Sequence, residues 1–131
     1  MKPFPYLVLA IAICIGCRKS HTVLIRESVY TGTFQRLTPQ GGTIVNVSLT
    51  LDSGRYSSEG GSGRYPVICK GSYYTKPDSV YFLNECMFTA DFDWTLILSG
   101  AYSYTQKEDS LIISRQYQQA FTDIYRLAKK Q

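Results

Sequence analysis

The sequence predicts an all-β protein, an antiparallel meander of about eight short strands closing as a barrel, with an open β-sandwich as the alternative. Three observations predict it. Two long stretches alternate apolar and polar residues with period two, turn-forming clusters recur between such stretches, and no stretch repeats apolar residues at helical spacing. The composition agrees, with 11 Tyr and 10 Gly among 131 residues, types that serve strands and tight turns. That length holds one domain around one core.

The elements follow in chain order. Strands are expected at about 28–37, 43–51, 55–58, 66–75, 79–86, 94–106, 110–115 and 120–128. In the second, Val45, Val47, Leu49 and Leu51 share one face, with Ile44, Asn46, Ser48 and Thr50 on the other. In the sixth, Trp94, Leu96, Leu98, Tyr102 and Tyr104 share a face, opposite Thr95, Ser99, Ser103 and Thr105. Gly100 interrupts that stretch and predicts a bend or bulge there. Turns are expected at Pro39-Gln40-Gly41-Gly42, Asp52-Ser53-Gly54, Lys76-Pro77-Asp78-Ser79 and Lys107-Glu108-Asp109-Ser110, and such short connections make neighbouring strands antiparallel. A weak internal echo pairs Gly71-Ser72-Tyr73-Tyr74-Thr75 and its return Asp78-Ser79-Val80 with Gly100-Ala101-Tyr102-Ser103-Tyr104-Thr105 and its return Asp109-Ser110-Leu111.

The N-terminus reads as an address. Met1-Lys2 is a short positive start, and residues 6–15 are an uncharged apolar run. At about 1.5 Å per residue such a run is too short to cross a hydrocarbon core of about 30 Å, and it has the length of a signal-peptide core. It ends in Cys14-Ile15-Gly16-Cys17, followed at once by Arg18-Lys19. This ending resembles the lipobox of bacterial lipoproteins, with Cys14 standing where that family usually carries Leu. The resemblance implies a signal peptide over 1–16, cleavage before Cys17 and acylation of its sulfur. It also implies a bacterial cell-envelope location and, since Arg18 rather than Asp follows, forwarding to the outer membrane. A secretory signal cut elsewhere and a Cys14/Cys17 redox or metal pair are the competing readings. Residues 17–27 then form a lipidated tether holding His21, the only histidine, and the barrel domain runs over 28–131.

The eight-strand meander resembles the lipocalin-like barrels of small envelope lipoproteins of the Bacteroidetes type. The Gly-x-Trp signature of true lipocalins is absent, Gly32-Thr33-Phe34 being a loose echo. Small disulfide-bearing β lipoproteins of this kind include lysozyme inhibitors.

With Cys14 and Cys17 spent, Cys69 and Cys86 remain in a compartment that permits disulfides. If Pro77-Asp78 is a two-residue loop, position numbers of facing residues sum to a constant that also pairs Cys69 with Cys86, at a non-hydrogen-bonded site with Cα atoms about 4.5 Å apart. A three-residue turn would offset the pair by one, and the alternatives to a disulfide are two buried thiols or a reactive thiol.

Chemistry is sparse. The formal charge of +4, about +3 once Lys2 is removed, is scattered, which argues against a nucleic-acid footprint. Asp91-Phe92-Asp93 lacks the Gly and Glu of a calcium loop and reads as Asx turns. Residues 57–64, Ser-Ser-Glu-Gly-Gly-Ser-Gly-Arg, read as a hairpin tip rather than a phosphate cradle. Asn46-Val47-Ser48 falls mid-strand, and no Gly-x-Ser-x-Gly elbow occurs. The reading is therefore non-enzymatic, without metal or cofactor. Tyr73, Tyr81, Trp94, Tyr102 and Tyr104 are the candidates to line a pocket for a small apolar ligand inside the barrel. The competing reading has them fill it. The runner-up function is protein-facing, as an envelope partner or a hydrolase inhibitor.

Overall fold

A computed structural model describes residues 24–59 and 64–131. The leader, Cys17, His21 and most of the tether lie outside the described residues, as do residues 60–63 of the glycine-rich tip.

The chain forms a closed antiparallel barrel of eight strands in sequence order. They are β1 (Ser28–Leu37), β2 (Ile44–Asp52), β3 (Arg55–Ser57), β4 (Lys70–Thr75), β5 (Ser79–Asn84), β6 (Gly100–Lys107), β7 (Ser110–Tyr117) and β8 (Phe121–Lys129). The last strand returns to the first, with register from Tyr30↔Lys129 to Leu37↔Thr122. This is the lipocalin-like meander, and the open sandwich is excluded.

Local chemistry explains the hairpins. Between β2 and β3, Ser53 and Gly54 both take positive φ, 51° and 74°, the two-residue turn whose twist suits antiparallel strands. Pro77 and Asp78 make the β4–β5 turn, closed by Lys76 N–H donating to Ser79 O at 2.7 Å. The register Thr75↔Val80 through Gly71↔Asn84 is the one a two-residue loop dictates, and the echoed segments are the two hairpins β4–β5 and β6–β7.

The register carries Cys69 to Cys86, and the two form a disulfide. Their Cα atoms are 6.4 Å apart, wider than a ladder position gives. The ladder ends at Gly71↔Asn84, with one further bond from Glu85 N–H to Lys70 O, and the Asn84 side chain holds Cys86 at both its N–H and its carbonyl. Reducing this bond, or replacing both cysteines by Ser, is expected to cost about 3 kcal/mol through loop entropy. Urea unfolding with and without reductant measures it.

Two sequence expectations are corrected. The strand expected over 66–75 begins only at Lys70, because Val67 leaves the barrel wall to bridge Ile97 in parallel. The strand expected over 94–106 is divided: Trp94–Leu96 is a 3-10 turn capped by Asp93, whose carboxylate accepts the Thr95 N–H at 3.0 Å. Gly100, at φ 89°, then redirects the chain into β6, a left-handed conformation that side chains other than Gly rarely adopt. Packing also starts ahead of residue 28, since Ile25 belongs to the core cluster.

Candidate functional site

Any binding site of this barrel is either its interior, one of its two mouths, or its outer wall. Inward-facing residues of seven strands meet in one cluster that includes Tyr30, Phe34, Leu49, Tyr56, Phe82, Tyr102, Ile113 and Tyr125, and Tyr73 of β4 packs against it. The rings interlock. Phe82 meets Tyr56 edge-on at 5.1 Å and Tyr102 at 5.8 Å, while Phe34 lies 4.8 Å from Tyr125. Buried tyrosine hydroxyls are spent on the protein's own backbone. Tyr56 donates to Leu98 O at 3.0 Å, Tyr104 to Lys76 O at 3.0 Å and Tyr30 to Arg26 O at 2.6 Å.

Of the five sequence candidates, Tyr73, Tyr102 and Tyr104 point inward and help fill the barrel. Tyr81 and Trp94 do not join them. Tyr81 stands on the outer wall, stacked on Tyr74 at 4.8 Å and 3° with the Lys76 ammonium 5.1 Å from its ring. Trp94 is more than half exposed. The period-two pattern put it on the inner face with Tyr102, and the 3-10 turn together with Gly100 broke that phase.

Burial pushes the phenols of Tyr73 and Tyr102 up to about 12 and raises those of Tyr56 and Tyr125 above their ordinary value as well. The sign follows. In the unfolded chain these groups ionise near pH 10, whereas folding keeps them neutral, so the unfolded state sheds protons first. Stability is therefore intact below about pH 10 and falls as pH rises from there through the folded values. Chemical unfolding from neutral to strongly alkaline pH, followed beside tyrosinate absorbance, should show titration and unfolding arriving together.

Among the described residues, the mouth formed by the connections 38–43, 64–69, 85–99 and 118–120 is closed by a cap. Residues 67 and 96–98 exchange backbone bonds, Val67 N–H to Leu96 O at 2.9 Å and Leu98 N–H to Val67 O at 2.8 Å, and Val67, Ile68, Ile97 and Leu98 are buried beneath. Two arginines fasten the cap to the wall. Arg36 of β1 grips Asp123 of β8 through Nε and Nη2, both at 2.7 Å. It also donates to the Thr95 hydroxyl and carbonyl at 3.0 Å each. Its guanidinium lies 4.0 Å above the Phe121 ring. Burial works against the Arg36 charge, yet the bonds and charge of Asp123 outweigh it and hold the guanidinium pKa above its ordinary value. Arg115 of β7 donates to Ser99 O at 2.6 Å and sits against the rings of Tyr102 and Tyr117.

Outside this cap the 85–99 connection carries the most exposed aromatic group of the described residues. Phe88 packs 5.3 Å from Phe92 and 6.1 Å from Trp94, and Met87 beside them is 96% exposed. A hydrogen bond from Thr89 is the first cause holding the Asp91 carboxyl below its ordinary range, and one from Thr95 does the same for Asp93. Sequence reasoning missed Met87, Phe88 and Phe92 as a group, although three aromatic residues within seven positions of a turn-rich stretch was the available signal. Among the described residues no cluster of three or more His, Cys, Asp or Glu is placed to hold a metal ion.

No known protein family, curated protein or solved structure matches this chain. The reading of function therefore rests on the geometry above.

Proposed function

We propose that this chain is a lipid-anchored protein of the bacterial cell envelope that works without catalysis, binding a protein partner through the exposed aromatic loop 86–95. The anchor reading comes from Gly16-Cys17 behind an apolar run. One observation carries the choice of surface: the interior is packed with interlocked rings, while Met87 and Trp94 stand out in solvent beside the half-buried Phe88. Exposed apolar groups clustered on a loop favour association, and the interlocked inward-facing rings occupy space that a buried ligand would need. The small apolar ligand inside the barrel is thus the second reading, and copurification of such a ligand, seen by native mass spectrometry, would restore it.

The anchor also fits the geometry. Chain entering at Ile25 arrives at the mouth holding the 53–54, 77–78 and 108–109 turns, and the aromatic loop lies at the other. A tether of residues 18–24 spans at most about 25 Å, so the loop end faces away from the bilayer when the entry end faces it.

The test uses the full chain in its native envelope. A photo-reactive residue at Met87 should cross-link a discrete partner, and Phe88→Ala with Trp94→Ala should remove that adduct while leaving the barrel folded, at a stability cost of about 2 kcal/mol for the lost ring contacts. Tyr74→Ala on the outer wall should leave it intact. An adduct indifferent to the loop substitutions defeats the surface assignment. Fatty-acid labelling that persists in Cys17→Ser defeats the anchor.

A further inference from the structure

The mouth opposite the cap is closed differently, by the segment just ahead of β1. Residues 24–27 cross it from β1 to the β6–β7 hairpin, which lies three strands away round the ring through β8 and β7. Ile25 drops into the interior cluster that holds Tyr30, Tyr104, Leu111 and Leu127, while Leu24, Arg26 and Glu27 stay exposed. The next residue is held at both its backbone groups. Arg26 N–H donates to Gln106 Oε1 at 3.2 Å, and Arg26 O accepts the Tyr30 hydroxyl at 2.6 Å.

The receiving side is prearranged. Gln106 is oriented by its own Nε2, which donates to Glu108 O at 3.0 Å and Ser110 O at 3.1 Å. That leaves Oε1 facing the mouth, where the Tyr30 hydroxyl also reaches it at 3.2 Å. Beside the crossing runs a shallow groove of about 370 Å³ lined by Glu27, Ser28, Val29, Thr50, Leu51 and Asp52. The crossing itself is fastened lightly. Apart from Ile25 and the two backbone bonds, its contact among the described residues is one long ion pair, Arg26 to Asp109 at 4.0 Å between exposed groups, which contributes little.

A seat that accepts one aliphatic side chain, then a peptide N–H, then a peptide carbonyl has the chemistry of a site for an extended aliphatic peptide. We infer that this mouth is such a peptide-binding site, occupied in the resting protein by its own residues 24–27 acting as a removable strap. A competing peptide enters when the strap lifts, replacing Ile25 and its two bonds one for one. The inference stands on the fold alone and on a different mouth from the aromatic loop, so neither the anchor nor the surface partner bears on it.

Thiol accessibility in the full chain tests it. A cysteine at Leu111→Cys lies under the strap, facing Gln106 in the β6–β7 register, and Leu98→Cys under the cap reports general opening. Both positions are fully buried. Ile25→Asp expels the plug, and Gln106→Ala removes the receiving oxygen should Ile25→Asp fail to fold. Each should raise the reaction rate of the residue-111 thiol with N-ethylmaleimide by about tenfold, the scale of one or two lost hydrogen bonds or a lost apolar contact in a local opening. The residue-98 thiol should not change. A capped peptide of residues 24–28, added to Ile25→Asp, should restore the slow rate. Unchanged rates in both variants, parallel acceleration at both thiols, or a peptide without effect would each overturn the inference.

Discussion

Asp123→Ala is expected to destabilise the barrel by about 3 kcal/mol, because it strips a buried guanidinium of its bidentate partner and leaves it only the half-exposed Asp93 carboxylate, 3.5 Å away. The Arg36 and Asp123 side chains are 11% and 2% exposed, so water cannot replace the lost partner. The loss spreads, since Arg36 also holds Thr95, and through it the 3-10 turn and the cap. For a domain of this size the melting temperature should drop on the order of 10–20 °C. Thermal and urea unfolding would measure both quantities. The double variant Arg36→Met with Asp123→Leu removes both charges together and should recover part of the loss. A single variant as stable as the parent, within about 0.5 kcal/mol, would show that the pair is not what closes the cap.

Phe82→Ala should cost a similar amount, about 3–5 kcal/mol, by a different mechanism. Its ring sits at the hub of the interior, edge-on to Tyr56 and Tyr102 and 6.2 Å from Tyr73. Deleting it opens a cavity walled by rings that are themselves pinned. Tyr56 is held to Leu98 O and Tyr102 lies under Arg115, so neither can swing in to fill the gap. Phe82→Leu, which keeps much of the volume, should cost less than half as much. Equal losses for the two substitutions would mean that the site depends on the ring's edge contacts rather than on its bulk.

Much of this fold was legible because one face of each strand meets the core and the other meets water. Val45, Val47, Leu49 and Leu51 announced β2 for that reason, and the numbering of the Pro77-Asp78 turn carried the register out to Cys69 and Cys86. Legibility failed where a residue's direction is set by tertiary partners. Trp94 and Leu96 continued the alternation of Tyr102 and Tyr104 on paper, but the Asp93 cap and the pull of Arg36 on Thr95 coil that segment. The left-handed turn at Gly100 then restarts the phase. Ile25 was hidden for the opposite reason: a single apolar residue ahead of the first strand has no period to reveal it. The Arg36–Asp123 pair brings together residues 87 positions apart, a distance over which local pattern carries no signal. Of the aromatic residues, the sequence could name those with strand periodicity but not separate inner wall from outer loop.

The ring is sealed by its final strand, and this orders events in time. β1 lies hydrogen-bonded to β8, its partners drawn from positions 122–129, so no chain lacking the last dozen residues can satisfy both flanks of its first strand. A polypeptide still being threaded or synthesised keeps two raw strand margins, a loose invitation to mispairing. Completion removes both at a stroke. Shortening the tail even modestly should therefore act less like trimming a loose end than like leaving a barrel without its last stave.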